Sequence, residues 1–356
     1  MRIFILIDTP WVASPSIVHQ NILSILEASL ELHQAHFLIV GNGIDQVYLD
    51  AYQQLLTKKP FTLQYISKQE AVRLIPSVTN ALVVHFGASL KGSERFANYF
   101  IPLAHPRCFQ LTAFNKWVQQ RNFKKYLQQA TATLCINEWI QADLITWEQK
   151  AKTIQPVYLP LPTLVAHDWL AMEKTKEAIA GGNPFFIAFV ELDEVVATLK
   201  EFSIFKKWQQ TSMSLVLILE NQKKAEQAIL LLKGYKFKEA IFIYSKTLVE
   251  THWLAATYAI LWSSVHFEVS SWVQWAIKYN IPLLFNTNIQ IPNTWAQSGD
   301  VFDFTAPLAL SNHFKLYYKD EVYRQTRANM GNAWLNQLQA DASAKLTAKI
   351  PACFKS

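Results

Sequence analysis

Half of the 356 residues are hydrophobic and 13% are aromatic, enough to bury two separate cores and too apolar for a disordered chain. Lys and Arg exceed Asp and Glu by only six charges, spread over both halves, which excludes the dense basic stripe of a nucleic-acid binder but suits an anionic ligand or membrane surface. The three cysteines, Cys108, Cys135 and Cys353, show no CxxC spacing and no clustered set of Cys and His ligands, so a zinc site is not expected and the thiols read as buried or incidental ones of a reducing compartment.

The chain opens with MRIFILIDTPW. Its apolar run is too short for a signal-peptide core and reads as a first buried strand at Arg2–Ile7. Further strands are predicted at Ala35–Val40, Thr62–Ile66, Ala81–His85, Cys108–Leu111, Leu134–Ile136 and Val157–Leu159. Helical periodicity fills the intervals at Ser16–Leu32, Val47–Leu56, Lys68–Ile75, Glu94–Ile101, Asn115–Ala130 and Trp139–Ala151. A proline-rich passage from Pro156 to Pro184, with some helix inside it, reads as a linker. The alternation then resumes. Strands are expected at Phe185–Val190, Leu215–Leu219, Ala240–Ile243, Ala259–Trp262, Leu283–Phe285 and Val301–Phe304. Helices are expected at Val195–Thr211, Lys223–Lys233, Thr247–Tyr258, Ser270–Lys278, Leu308–Leu316 and Asp320–Asp341. Strands alternating with helices from end to end predict two doubly wound parallel sheets. No run reaches the ~20 apolar residues of a membrane-spanning helix, so a cytoplasmic location is expected.

The segment most informative about function is Ala259–Phe285, AILWSSVHFEVSSWVQWAIKYNIPLLF: a strand, a Ser-Ser loop, a helix, and a second strand entered through Ile281-Pro282. Among the polar candidates, His85 ends a strand before Gly87, where α/β folds bind ligands. Asp8, Thr9 and Trp11 end the first strand, and His105 lies in a turn of similar kind. Ser263 and Ser264 suit either hydrogen bonds to a phosphate or the cap of the next helix. His266 and Glu268 alternate about Phe267 and read as cleft ligands or as loop-surface residues. In the segment FNKWVQQRNFKKYLQQ, Lys116, Arg121, Lys124 and Lys125 interleave with Trp117, Phe123 and Tyr126 without an acid. Such a helix lies on an anionic bilayer or is a solvated basic helix packed through its tryptophan.

The order of these pieces resembles the GT-B glycosyltransferases, in particular the retaining family 4. Leu134-Cys-Ile-Asn-Glu-Trp-Ile-Gln-Ala-Asp143 stands where that family ends its first domain. Val157-Tyr-Leu-Pro-Leu-Pro-Thr-Leu-Val-Ala-His-Asp168 is similar to its "viPnGvD" linker, and Ile187-Ala-Phe-Val-Glu-Leu192 to its "fvGrl" strand. Leu261–Glu268 through Ala276–Pro282 lies over "yPSxxEGFGLPxLEAMAxGxPV", and Ser298–Phe304 over "gdaGllv".

The resemblance implies α/β architecture, with two Rossmann-like domains facing a cleft. Residues 1–160 would form the acceptor domain, 161–184 a linker, 185–325 the donor-nucleotide domain, and 326–356 a C-terminal helix and tail. It implies transfer of a hexose from a UDP- or GDP-linked sugar, as substrate rather than cofactor, to a glycan or lipid-linked acceptor, without nucleic acid or metal. Peripheral attachment to the inner face of the membrane through residues 116–125 goes with it. Catalytic roles fall to His85 and Glu268. Donor contacts fall to Ser263, Ser264, His266, Glu268, Gln274 and Lys200, and acceptor contacts to Asp8, Thr9, Trp11 and His105.

The motif also departs from the family. Its Glu-x7-Glu pair falls on Phe267 and Trp275, and tryptophan accepts no hydrogen bond. The diphosphate-binding Arg and Lys are replaced by the acidic passage Glu191–Glu194. Only nine glycines occur in the chain, few for phosphate-cradling loops. A catalytically silent GT-B scaffold that binds a glycan or protein partner is therefore the alternative, and a nucleotide-sugar epimerase a third reading.

Overall fold

The computed structural model describes residues 2–7, 36–40, 62–66, 68–74, 81–86, 97–101, 132–135 and 154–156, single helical positions at 121, 124, 127, 128, 144 and 145, and then 168–263, 269–287 and 298–352. The chain divides into two compact units, Met1–Pro162 with Leu338–Ser356, and Thr163–Gln337.

Among the described residues the first unit has seven strands: β1 (Arg2–Ile7), β2 (His36–Val40), β3 (Thr62–Ile66), β4 (Ala81–Phe86), β5 (Ala97–Ile101), β6 (Ala132–Cys135) and β7 (Ile154–Pro156). Helix α1 (Lys68–Leu74) lies between β3 and β4 in the chain. All pairings are parallel, in the order β3-β2-β1-β4-β5-β6-β7. Largely apolar strands such as RIFILI and ALVVHF suit a parallel sheet buried on both faces.

Two expectations change here. Ala97–Ile101, read as part of a helix over Glu94–Ile101, is strand β5, paired from Leu82↔Ala97 to Phe86↔Ile101. Its apolar run is too short for periodicity to separate helix from strand, and the open edge of β4 decides. The strand predicted at Val157–Leu159 sits three residues earlier, with Pro156 at the sheet edge, where a missing N–H costs no ladder bond. The strand expected at Cys108–Leu111 and the helices expected at 16–32 and 47–56 lie outside the described residues.

The second unit begins with α2 (Trp169–Ala180). Asp168 caps it by accepting a 2.7 Å hydrogen bond from the Ala171 amide, and Gly181 closes it at φ 59°. Then follow β8 (Phe185–Phe189), α3 (Val195–Gln209), β9 (Ser214–Leu219), α4 (Gln222–Leu231), β10 (Ile241–Ser245), α5 (Thr251–Ala256), β11 (Ile260–Trp262), α6 (Val269–Lys278), β12 (Leu283–Asn286), β13 (Gly299–Phe302), α7 (Ala309–Lys319) and α8 (Glu321–Ala352), which belongs to this unit as far as Gln337. The sheet is again wholly parallel, in the order β10-β9-β8-β11-β12-β13. Every residue of β8, β9, β11 and β12 is buried.

Alternate side chains of each strand feed two cores. On one face Phe186 stacks on Phe314 with centroids 4.6 Å apart, and Phe202 and Phe205 of α3 close around them. On the other, Phe189 stacks on Trp262 at 4.3 Å, with Trp272 of α6 beside them. At the β13 edge, Asp300 accepts hydrogen bonds from the Tyr317 and Tyr323 hydroxyls and pairs with Arg327 at 2.9 Å. Burial, with that carboxylate beside it, pushes the Tyr317 phenol far up.

Candidate functional site

In the second sheet the chain moves outward from β8 to β10, then returns to the other side of β8 to form β11. The boundary between β8 and β11 is the topological switch point, and ligands of doubly wound folds bind at the carboxyl ends of the strands there.

Three chain segments meet at that end. After β8, Val190 and Glu191 lead into a 3₁₀ turn, Leu192–Glu194, which runs directly into α3. The turn closes on itself: the Glu194 amide donates to the Glu191 carbonyl at 3.1 Å, and the Glu191 amide donates to Glu194 Oε2 at 3.1 Å. Ser263 follows β11, with its amide held by the Phe189 carbonyl at 2.9 Å. Asn286 ends β12 and is wholly buried.

Their side chains form one network. Asn286 Nδ2 donates to Ser263 Oγ at 2.9 Å and to Glu194 Oε1 at 3.2 Å, while the Ser263 hydroxyl also hydrogen-bonds Glu194. Burial raises the Glu194 pKa, Ser263 and the Glu191 backbone pull it back, and the carboxylates of Asp193 and Glu191 push it up further, for a net rise. On the other flank Lys224, in the first turn of α4, bridges Glu191 at 3.0 Å and Glu220 at 2.6 Å. Burial lowers its pKa, but the hydrogen bonds to Glu220 and Glu191 more than offset that and leave it raised.

The arrangement decides what this end of the sheet can hold. A helix N-terminus offers partial positive charge and free N–H groups to an anion. At α3 that place is lined by this chain's own Glu191, Asp193 and Glu194. The mouth is rich in acceptors, which suits hydroxyl groups better than phosphate.

The other sequence candidates fall as follows. Ser263 joins the network and stands six residues before α6, so it does not cap that helix. Gln274 and Trp275 are both 4% exposed, inside the continuously buried run of α6 from Trp272 to Ile277. The Trp275 ring stacks on Tyr279, and its Nε1 has no hydrogen-bond partner among the described residues. Lys200 is exposed on α3; the lysine that reaches the acidic turn is Lys224. In the first unit His85 is the penultimate residue of β4, in register with Leu6 of β1 and Phe100 of β5. β1 and β4 flank the switch point of that sheet. Arg121 and Lys124 are helical, the first exposed and the second half-buried. Ser264, His266, Glu268, Asp8, Thr9, Trp11, His105, Lys116, Trp117 and Lys125 lie outside the described residues. Among the described residues no group of three His, Cys, Asp or Glu side chains is placed to hold a metal ion, and no helix is long and apolar enough to cross a membrane.

Asn286 and Lys224 were missed by sequence reasoning. For Asn286 the available signal was an amide at the end of an apolar strand, LLFN. Lys224 carried only its place in the first turn after a strand.

No protein-family model matches the chain, and no curated protein matches it. Solved structures do. The chain is similar to HepE of Anabaena, solved in complex with UDP and glucose, with a TM-score of 0.70, 11% identity, and coverage of 99% of this chain and 100% of that one. It is similar to a glycosyltransferase from Rickettsia africae at a TM-score of 0.68 and 10% identity, covering 99% and 98%. It is also similar to a UDP-GlcNAc 2-epimerase from Neisseria meningitidis bound to UDP-GlcNAc, at a TM-score of 0.57 and 13% identity, covering 98% and 100%. The fold is therefore GT-B, an α/β architecture of two Rossmann-like parallel sheets.

Proposed function

We propose that the protein is a glycosyltransferase of the GT-B type, which transfers a hexose from a UDP- or GDP-linked sugar to a glycan or lipid-linked acceptor. The observation that carries this reading is the Glu194–Ser263–Asn286 network, a polar, buried, hydrogen-bonded set at the switch point of the second sheet. Whole-length likeness to a glycosyltransferase and to structures that hold UDP or a UDP-sugar supports it.

In the proposed reaction an acceptor hydroxyl oxygen bonds to the anomeric carbon. The bond from that carbon to the diphosphate oxygen breaks, and the nucleoside diphosphate leaves with the electron pair. The hydroxyl proton passes to a base, for which Glu268 and His85 are the candidates. Ser263, Ser264, His266, Gln274 and Lys200 are assigned to the donor, and Asp8, Thr9, Trp11 and His105 to the acceptor. The protein acts in the cytoplasm, with residues 116, 117, 121, 124 and 125 resting on the inner face of the membrane.

One observation favours a second reading. The N-terminus of α3, where a diphosphate would draw on the helix dipole, is lined by Glu191, Asp193 and Glu194. A silent scaffold that binds hydroxyl-rich glycans would keep such a site; a transferase must hold the diphosphate against it. Isothermal calorimetry with UDP, GDP, their sugars and free oligosaccharides separates the two. The transferase reading expects micromolar binding of one nucleotide sugar, weakened at least about tenfold by Glu268→Ala. Binding of oligosaccharide alone, or no binding by folded protein, overturns it.

A further inference from the structure

Helix α4 is built the wrong way round for a helix that only covers a sheet. The side chains it buries are small, Ala225 and Ala228, while its last turn turns bulk to solvent: Ile229 is 50% exposed, Leu230 59% and Leu231 42%. Consecutive helix positions fan these three large aliphatic side chains around the exposed last turn, a concentration of apolar bulk at one helix end that suits a partner.

The chain that follows is basic and fixed. Lys233, Lys236 and Lys238 are all exposed. Gly234, at φ 81°, makes the turn that carries them. Tyr235 anchors that turn to α3, donating to the Leu199 carbonyl at 2.8 Å and accepting from Ser203 Oγ at 2.9 Å. Lys236 lies 5.5 Å from the centre of the half-buried Phe237 ring. Acids intrude little: Glu226 is one turn back, hydrogen-bonded to Gln222, and Glu239 meets Lys238 at 3.9 Å with both largely exposed.

We infer that Ile229–Leu231 and Lys233, Lys236 and Lys238 form a docking surface for an anionic lipid bilayer. The aliphatic turn enters the boundary between headgroups and acyl chains, and the lysines beside it pair with lipid phosphates. Charge complementarity selects this occupant. An exposed apolar helix end followed at once in the chain by exposed lysines is what an anionic membrane surface rewards, through burial of apolar area and through attraction of each lysine. This surface belongs to the second unit and is separate from residues 116–125. It does not rest on the sugar-transfer reading.

The test is co-sedimentation of the full chain with vesicles of phosphatidylcholine alone and of phosphatidylcholine mixed with phosphatidylglycerol. Binding to the mixed vesicles is expected, falling with added salt. Each lysine neutralised in the set Lys233→Gln, Lys236→Gln and Lys238→Gln should weaken it about fivefold. Ile229→Ser with Leu230→Ser should weaken it at least about tenfold. Thermal melting confirms that these surface variants remain folded, and a variant that melts early is replaced by its single substitutions. The proposal is overturned by equal binding to neutral vesicles or by variants that bind as the parent does. It is also overturned if binding is lost only in Arg121→Glu with Lys124→Glu, or if sedimentation velocity shows a dimer that Leu230→Glu dissociates.

Discussion

Gly299 opens β13 directly beside the neighbouring strand. A Cβ there would lie 2.6 Å from the Leu283 carbonyl oxygen and 2.9 Å from both Leu283 Cβ and Phe285 Cε2. Backbone and a packed ring cannot give way as a flexible side chain can. Gly299→Ala is therefore expected to cost about 1–3 kcal/mol, read by urea denaturation. Glu194 makes a prediction about pH. Its pKa is raised in the fold, chiefly by burial, so the folded protein holds this proton more tightly than the unfolded chain does. Its contribution is most favourable below the ordinary carboxylate range and diminishes as pH rises through the raised value. The stability of the parent relative to Glu194→Gln should fall as pH rises from 4 to 7, about the span from below the ordinary carboxylate value to neutrality. A difference independent of pH would refute the assignment. At this scale the sequence was partly readable. Ser263 and the acidic character of Glu191–Glu194 stood out by their places after strands. Asn286 did not, because its partners lie 23 and 92 positions away, and nothing local marks an asparagine whose role is to join two distant loops.

At the level of elements, α7 shows how a helix can start without a cap of its own. Leu308 occupies its N-cap position at φ 62° and supplies no side-chain acceptor. Glu201 of α3 does so from outside, accepting from the Ser311 amide at 2.9 Å and from its hydroxyl at 2.5 Å. Glu201→Ala removes both bonds and is expected to cost about 1–2 kcal/mol in urea denaturation, with Glu201→Gln in between. A full effect for the Gln variant as well would show that an amide cannot serve as the cap. Most elements were legible from periodicity alone: β8, β9 and α3 lie within a residue or two of their predicted bounds. The failures have two causes. At β5 the apolar run was too short for periodicity to separate helix from strand, and at β7 and β13 the strand is displaced from its predicted bounds because pairing with a neighbour, not pattern, sets where a strand begins and ends.

On the scale of the whole molecule, each compact unit has its own parallel sheet. Calorimetry is expected to resolve two unfolding transitions. Arg327 provides the label for one of them. It pairs with Asp300 at 2.9 Å and also donates to the Gly299 carbonyl, tying α8 to β13 within the second unit. Arg327→Ala leaves the Asp300 carboxylate without its cation and should lower one transition only, by on the order of 3 kcal/mol. A single transition, or two that move together, would show that the units unfold as one. The sequence by itself determined the α/β class and the alternation of strands and helices, because these depend on residue type and short-range spacing. Tertiary structure alone decided the rest. It set the acidic turn at the N-terminus of α3, brought Glu194, Ser263 and Asn286 together, placed Lys224 against Glu191, and left the aliphatic end of α4 in solvent. Hydrogen-bonding partners and burial are set by strand order, and strand order joins residues that the linear chain keeps far apart.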